Sequence, residues 1–191
     1  MLRSLCLVIC VLFFGVSPAA QADAPLRVAF MIGEDEYQTW ETLPKFAEQY
    51  LQPLGVQSTF IHAAKDNPNH FPGLEKIHDA DVLLISVRRR PLPKAELDQV
   101  RNYLKAGKPL VAIRTTSHAF AARANVAVDP SLDQWPTFDV DVLGGKYDNH
   151  YANKAGTDIA VASHAQSHPI LAGLKQRSFH SGGTLYKMTA G

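Results

Sequence analysis

The sequence predicts an α/β fold, a doubly wound parallel sheet, and three observations carry that prediction. Four short apolar runs occur at residues 26–32, 56–61, 81–87 and 109–113. The first, third and fourth are almost unbroken in Val, Ile, Leu, Ala and Phe, as strands covered on both faces must be. Between the runs, apolar residues recur at helical spacing, and a parallel return between strands needs such a crossover.

The elements follow in order. After the first run, Leu43, Phe46, Ala47, Tyr50, Leu51 and Leu54 form a helical stripe, with Pro44 suited to a first turn and Gly55 to the exit. Leu74 and Ile77 mark a short helix before the third run. Leu97, Val100 and Leu104 form a second stripe that ends at Gly107. The second half is less regular. Residues 119–136 read as a long, partly structured loop, followed by residues 138–143 and the Gly144-Gly145 pair. Residues 157–162 predict a strand, and His168-Pro169-Ile170 opens a turn or short helix. Without an internal repeat, low-complexity tract or linker, residues 23–191 read as one domain.

Residues 1–22 stand apart. Arg3 precedes an apolar run from Leu5 to Val16, Ser17-Pro18-Ala19 breaks it, and Ala20-Gln21-Ala22 is a small-x-small cleavage site. That layout predicts a secretory signal peptide and an exported protein, periplasmic or secreted, beginning at Asp23. The run is shorter than the ~20 residues of a spanning helix, and Ile9 before Cys10 is too bulky for a lipoprotein signal. Cys6 and Cys10, the only cysteines, leave with the leader, so the mature chain has no disulfide and no thiolate nucleophile. Loss of Arg3 brings the basic residues from 19 to 18, level with the 18 acidic ones. Such a balance points away from nucleic acid and, after cleavage, from a membrane surface, and toward a small neutral partner.

In an open parallel sheet, ligands bind beyond the carboxyl ends of the strands. The first run is followed by Gly33-Glu34-Asp35-Glu36-Tyr37, the third ends in Ser86-Val87-Arg88-Arg89-Arg90, and the fourth leads into Arg114-Thr115-Thr116-Ser117-His118. A flavodoxin-like strand order, 2-1-3-4-5, makes runs one, three and four neighbours, so acid, arginines, hydroxyls and histidine would line one edge. Each group also has a structural alternative. The acids read equally as a solvated loop capping the next helix, the arginines as a surface run, and His118 as a hydrogen-bonded loop histidine. Ser117 lacks the flanking small residues of a nucleophile elbow, and its neighbour His118 is badly placed as its base.

The eight histidines lack the tight spacing of a metal site. His164 and His168 are four apart, but Pro169 opposes a helix there. No metal is expected, and no motif specifies a cofactor.

The chain resembles the ThuA-like (trehalose-utilisation) family. The stretches that carry the resemblance are residues 33–37, 86–90, 114–120, 143–150 (Leu-Gly-Gly-Lys-Tyr-Asp-Asn-His), His168-Pro169-Ile170 and Thr184-Leu185-Tyr186. The resemblance implies the class I glutamine amidotransferase-like superfold, a three-layer α/β sandwich, and a link to carbohydrate use. In that superfold the turn after the fourth strand normally presents a cysteine. Here Thr115 and Thr116 occupy the region, so thiolate-dependent glutamine hydrolysis is excluded. Two departures stand out: Arg114 replaces the histidine that commonly follows this strand, and the chain stops where the family usually continues, so a truncated fragment is expected.

The expectation is therefore an exported protein acting on a sugar or sugar derivative. Glu34 or His118 would serve acid–base chemistry, Arg88 or Arg114 would hold ligand oxygens, and His150 would complete the far wall. The alternative is a non-catalytic carbohydrate-binding or interaction module on the same fold.

Overall fold

The computed structural model describes residues 24–152 and 156–190, and the expected leader lies outside them. Strand β1 (Arg27–Gly33) leads into helix α1 (Thr39–Phe46), which runs on through wider and then tighter turns to Gly55. Strand β2 (Gln57–His62), a short 3₁₀ segment (Leu74–Asp79) and β3 (Val82–Val87) follow. The two-residue β4 (Leu92–Pro93) precedes helix α2 (Lys94–Lys105) and strand β5 (Leu110–Ala112). Beyond these come β6 (Leu132–Asp133), β7 (Gly145–His150), β8 (Thr157–Ala160), β9 (Ser178–Ser181) and β10 (Tyr186–Ala190).

The centre is a four-stranded parallel sheet in the order β2-β1-β3-β5. The apolar runs at residues 26–32, 81–87 and 109–113 are thus adjacent, in a mixed α/β fold consistent with a flavodoxin-like arrangement. Register brings Gly33 opposite Val87 and Ile85 opposite Ala112, so the carboxyl ends of β1, β3 and β5 lie side by side.

Alternation along the strands divides the core. Ala29, Met31, Leu83 and Ile85 pack with Leu97, Val100 and Tyr103 of α2, and with Leu74 and Ile77. Val28, Phe30, Ile32 and Leu84 pack with Leu43 and Ala47 on the α1 side. Ile85 is fully buried, and truncating such a residue typically costs roughly 2–5 kcal/mol. The loop at residues 119–136 is anchored by Phe120, whose ring meets Phe138 edge-on at 5.0 Å.

Two details depart from the sequence expectation. Pro44 sits inside α1 rather than in its first turn, because the helix begins earlier, at Thr39. Its missing N–H removes a hydrogen bond to the carbonyl four residues back, and the helix widens into a π turn at Ala47–Leu51. The strand expected over residues 157–162 ends at Ala160. His168 does anchor a turn: its Nδ1 accepts the Ile170 N–H at 3.2 Å, starting one 3₁₀ turn at Pro169–Leu171. Among the described residues no helix is long and apolar enough to cross a membrane.

Candidate functional site

The carboxyl ends of β1, β3 and β5 open onto a cavity of about 590 Å³. Its walls carry Glu36 and Tyr37 after β1, Arg88 and Arg89 after β3, and Arg114 and His118 after β5. The outer wall is the antiparallel pair β7–β10, which supplies Tyr147, His150 and Tyr186. Arg123 reaches in from the loop that follows Phe120.

The turn after β5 is built by its hydroxyls. Thr116 Oγ1 donates to the carbonyls of Ile85 and Ile113 (2.7 and 2.9 Å), and Thr115 Oγ1 reaches the Val87 carbonyl at 3.5 Å. Both threonines are buried, which pins the 3₁₀ segment Arg114–His118 to the end of β3. They are structural ties there and present no nucleophile to the cavity. Arg114 takes the sharp bend with φ 37°. Arg89 after β3 has φ 53° and Gln38 before α1 has φ 56°. Left-handed backbone is costly for a residue with a Cβ, and such strain collects where a chain must aim side chains at a site.

Arg114 is held by three contacts. One guanidinium nitrogen donates to the Thr184 carbonyl at 2.8 Å, while its centre lies 4.7 Å from the Tyr37 ring and 5.3 Å from that of Tyr186. Burial pushes the Tyr186 phenol up to about 12, although the Arg114 charge pulls the other way. The phenol therefore stays protonated and able to donate.

His118 stacks against this wall, 5.1 Å from Tyr147 and 6.1 Å from Tyr186 between ring centres. Burial, and then the charges of Arg89 and Arg88, lower its pKa to about 4. It is a neutral imidazole at physiological pH. Its Nδ1 shares a hydrogen bond with Ser117 Oγ at 3.1 Å, leaving Nε2 for a ligand. His150 is oriented by its own neighbour, with Nδ1 2.8 Å from the Tyr151 carbonyl.

Arg88, Arg114, His118 and His150 thus share one cavity, while Glu34 does not line it. Glu34 is buried, and its carboxylate accepts hydrogen bonds from the backbone N–H groups of Glu36, Tyr37 and Thr39 (2.8, 2.8 and 2.9 Å) and from Thr39 Oγ1 (2.6 Å). Ser86 Oγ donates in turn to Thr39 Oγ1 at 2.9 Å, linking β3 to the network. Burial raises the Glu34 pKa, but the hydrogen bonds from Thr39, Tyr37 and Glu36 outweigh it and hold the carboxyl below its ordinary range. Glu34 therefore shapes the loop that presents Glu36 and Tyr37, and it borders a different depression, beside His62 and Trp40.

The acid on the cavity is Glu36, whose carboxylate pairs with Arg88 Nε at 3.0 Å. Arg90 turns away from the cavity, to the Gly33 carbonyl and Asp35. Glu36 and Arg89 belong to the acid and arginine runs expected at this edge, whereas Tyr37, Tyr147 and Tyr186 carried no signal beyond their place in stretches that resemble the ThuA-like family. Arg123 had no sequence signal, since only the folding back of its loop brings it to the site. Among the described residues no three His, Cys, Asp or Glu side chains gather closely enough to hold a metal ion.

A parallel-sheet α/β protein with its cleft at the strand ends is the class this geometry defines. No protein-family model and no curated protein matches the chain. Among solved structures it is similar to a ThuA-like protein of Bacteroides uniformis, with 19% identity and a TM-score of 0.59 over 90% of this chain and 65% of that one. It is also similar to a ThuA-like protein of Parabacteroides merdae, with 11% identity and a TM-score of 0.54 over 87% and 64% of the respective chains. The fold is therefore one that solved ThuA-like structures have, and this chain spans just under two thirds of their length.

Proposed function

We propose that the chain is an exported ThuA-like protein, on the class I glutamine amidotransferase-like three-layer sandwich, whose cleft binds and acts on a sugar or sugar derivative. The observation that carries this is the neutral His118 set against Tyr147 and Tyr186 within a ring of arginines. Tyrosine rings offer flat apolar faces for a sugar ring, and guanidinium forks hold its oxygens. Neutral His118, whose Nε2 has no hydrogen-bond partner among the described residues, suits proton transfer at a sugar hydroxyl or at the carbon next to a carbonyl. Export rests on the leader at residues 1–22, and an intact mass beginning at Asp23 on protein recovered outside the cytoplasm is its test.

A second reading, a non-catalytic carbohydrate-binding module, is favoured by one observation. The turn after β5, where the superfold places a nucleophile, carries Thr115 and Thr116, both buried and tied to carbonyls of β3, and Ser117 after them is buried as well. Incubating the full chain and its H118A variant with oxidised and unoxidised disaccharides, with products followed by mass spectrometry, separates the two. Turnover lost in H118A supports the enzyme. Saturable binding without turnover in either protein supports the module.

A further inference from the structure

The charges on the cavity are unbalanced in a way that a neutral sugar does not answer. Arg88, Arg89, Arg114 and Arg123 converge there from three separate segments, against one carboxylate, Glu36. That carboxylate is already engaged by Arg88 at 3.0 Å. Among the described residues no ion pair joins Arg89, Arg114 or Arg123 to an acid. Arg114 has the Thr184 carbonyl and two tyrosine faces for company. Arg89 is half-buried, and its side chain has no hydrogen bond among the described residues. Burial and the neighbouring charges of Arg123 and Arg88 all work against its protonated form. Bringing like charges together in a partly desolvated cleft is unfavourable, and an incoming anion reverses that cost.

We propose that the ligand of this cleft carries an anionic group, a carboxylate or a phosphate, held between Arg89 and Arg123 while its ring lies toward Tyr147 and Tyr186. The proposal rests on the reading of the cleft as a sugar site and narrows its substrate to acidic sugars or sugar phosphates. The guanidinium is the side chain suited to both groups, since its planar fork meets two oxygens at once. The backbone supports the same assignment. Arg89 holds φ 53° while its N–H donates to the His118 carbonyl at 3.1 Å, so its position is fixed relative to the imidazole. The anion would therefore sit on the His118 side of the cleft and stabilise the imidazolium that forms when His118 takes a proton.

The test is titration calorimetry on the full chain with four probes: glucose, glucuronate, glucose phosphate and inorganic phosphate. Glucuronate or glucose phosphate should bind at least about tenfold more tightly than glucose, as expected for one charge-assisted fork. The advantage should shrink as salt rises and disappear in R89A and R123A. Whichever of the two anionic sugars binds better identifies the group. Arg123 is exposed, so R123A carries the test if R89A fails to fold. Glucose binding as tightly as both anionic sugars overturns the proposal and leaves the sugar reading standing. Inorganic phosphate binding as tightly as either anionic sugar, with glucose inert, keeps the anion site and overturns the sugar reading. No binding of any probe overturns both.

Discussion

The guanidinium of Arg114 lies 4.7 Å from the centre of the Tyr37 ring, which ties the bend after β5 to the loop after β1 across the intervening end of β3. The ring of Tyr186 lies 5.3 Å from the same guanidinium. The left-handed backbone at Arg114 aims this side chain at both rings while Thr115 and Thr116 turn inward. Strain at one residue thus joins three chain segments at the mouth of the cleft.

That relationship separates stability from binding at one position. Replacing Arg114 by alanine removes both cation–π contacts and keeps the φ of 37°. Replacing it by glycine removes the same contacts and relieves the backbone, an advantage on the order of 1 kcal/mol. Urea denaturation should therefore rank R114G as more stable than R114A. Calorimetry should find both equally impaired in ligand binding. A ranking reversed in urea means that the strain is not relieved at this residue.

Glu34 should prove a structural residue. Its carboxylate satisfies three backbone N–H groups and one hydroxyl, so E34A leaves several donors unpaired and should cost on the order of 3 kcal/mol. Because the folded pKa is lowered, the ionised form is favoured by folding. The contribution is fully present above the ordinary value of 4.5 and is lost as pH falls below it. Wild-type stability should decline through that acid range more steeply than that of E34A. Equal acid sensitivity in the two proteins would remove Glu34 from the network.

Gly33 should tolerate no side chain. A Cβ there would enter the space of Phe71 Cζ and stand 3.0 Å from Cε1. Phe71 cannot yield easily, since it is buried and its N–H donates to the Glu96 carboxylate at 2.9 Å. G33A should lower stability by about 1–3 kcal/mol, the usual cost of overpacking. Melting temperature is the measurement, and an unchanged value would mean that the ring can swing aside.

The parallel core was legible because its signal is local: strands covered on both faces are continuous apolar runs, and crossover helices carry their own stripe. The strand ends also told where a cleft would form, and Arg88, Arg114, His118 and His150 do line it. Glu34 and Glu36 were harder to separate, since the sequence alone does not tell which of two acids two residues apart turns inward. That depends on Thr39, whose hydroxyl donates to Glu34, and on Ser86 of β3, which donates to Thr39 only because the fold brings them together. Arg123 was illegible for a related reason: its place depends on how the loop at residues 119–136 folds back, which local pattern does not encode.

His118 should titrate well below an ordinary histidine. Burial comes first among the causes that lower its pKa to about 4, followed by Arg89 and Arg88, with Asp139 opposing and Arg123 adding. An unfolded histidine titrates near 6.5. Between these values the unfolded chain takes a proton that the folded chain refuses, so His118 withdraws stability as pH falls from 6.5 toward 4. Proton–carbon NMR of the imidazole should give a midpoint near 4 in the full chain. Removing a neighbouring charge in R89A should move it upward toward 6.5, and so should occupancy of the cleft by an anion, because both weaken the field that opposes protonation. R89Q, which removes the charge but keeps much of the side-chain volume, separates the charge contribution from burial. A midpoint near 6.5 in the wild type would mean that His118 is solvated and free of the arginines. It would still be largely neutral at pH 7 and a stronger base than one titrating near 4, so that result would remove the arginine field from the account of the cleft and leave proton transfer by His118 standing.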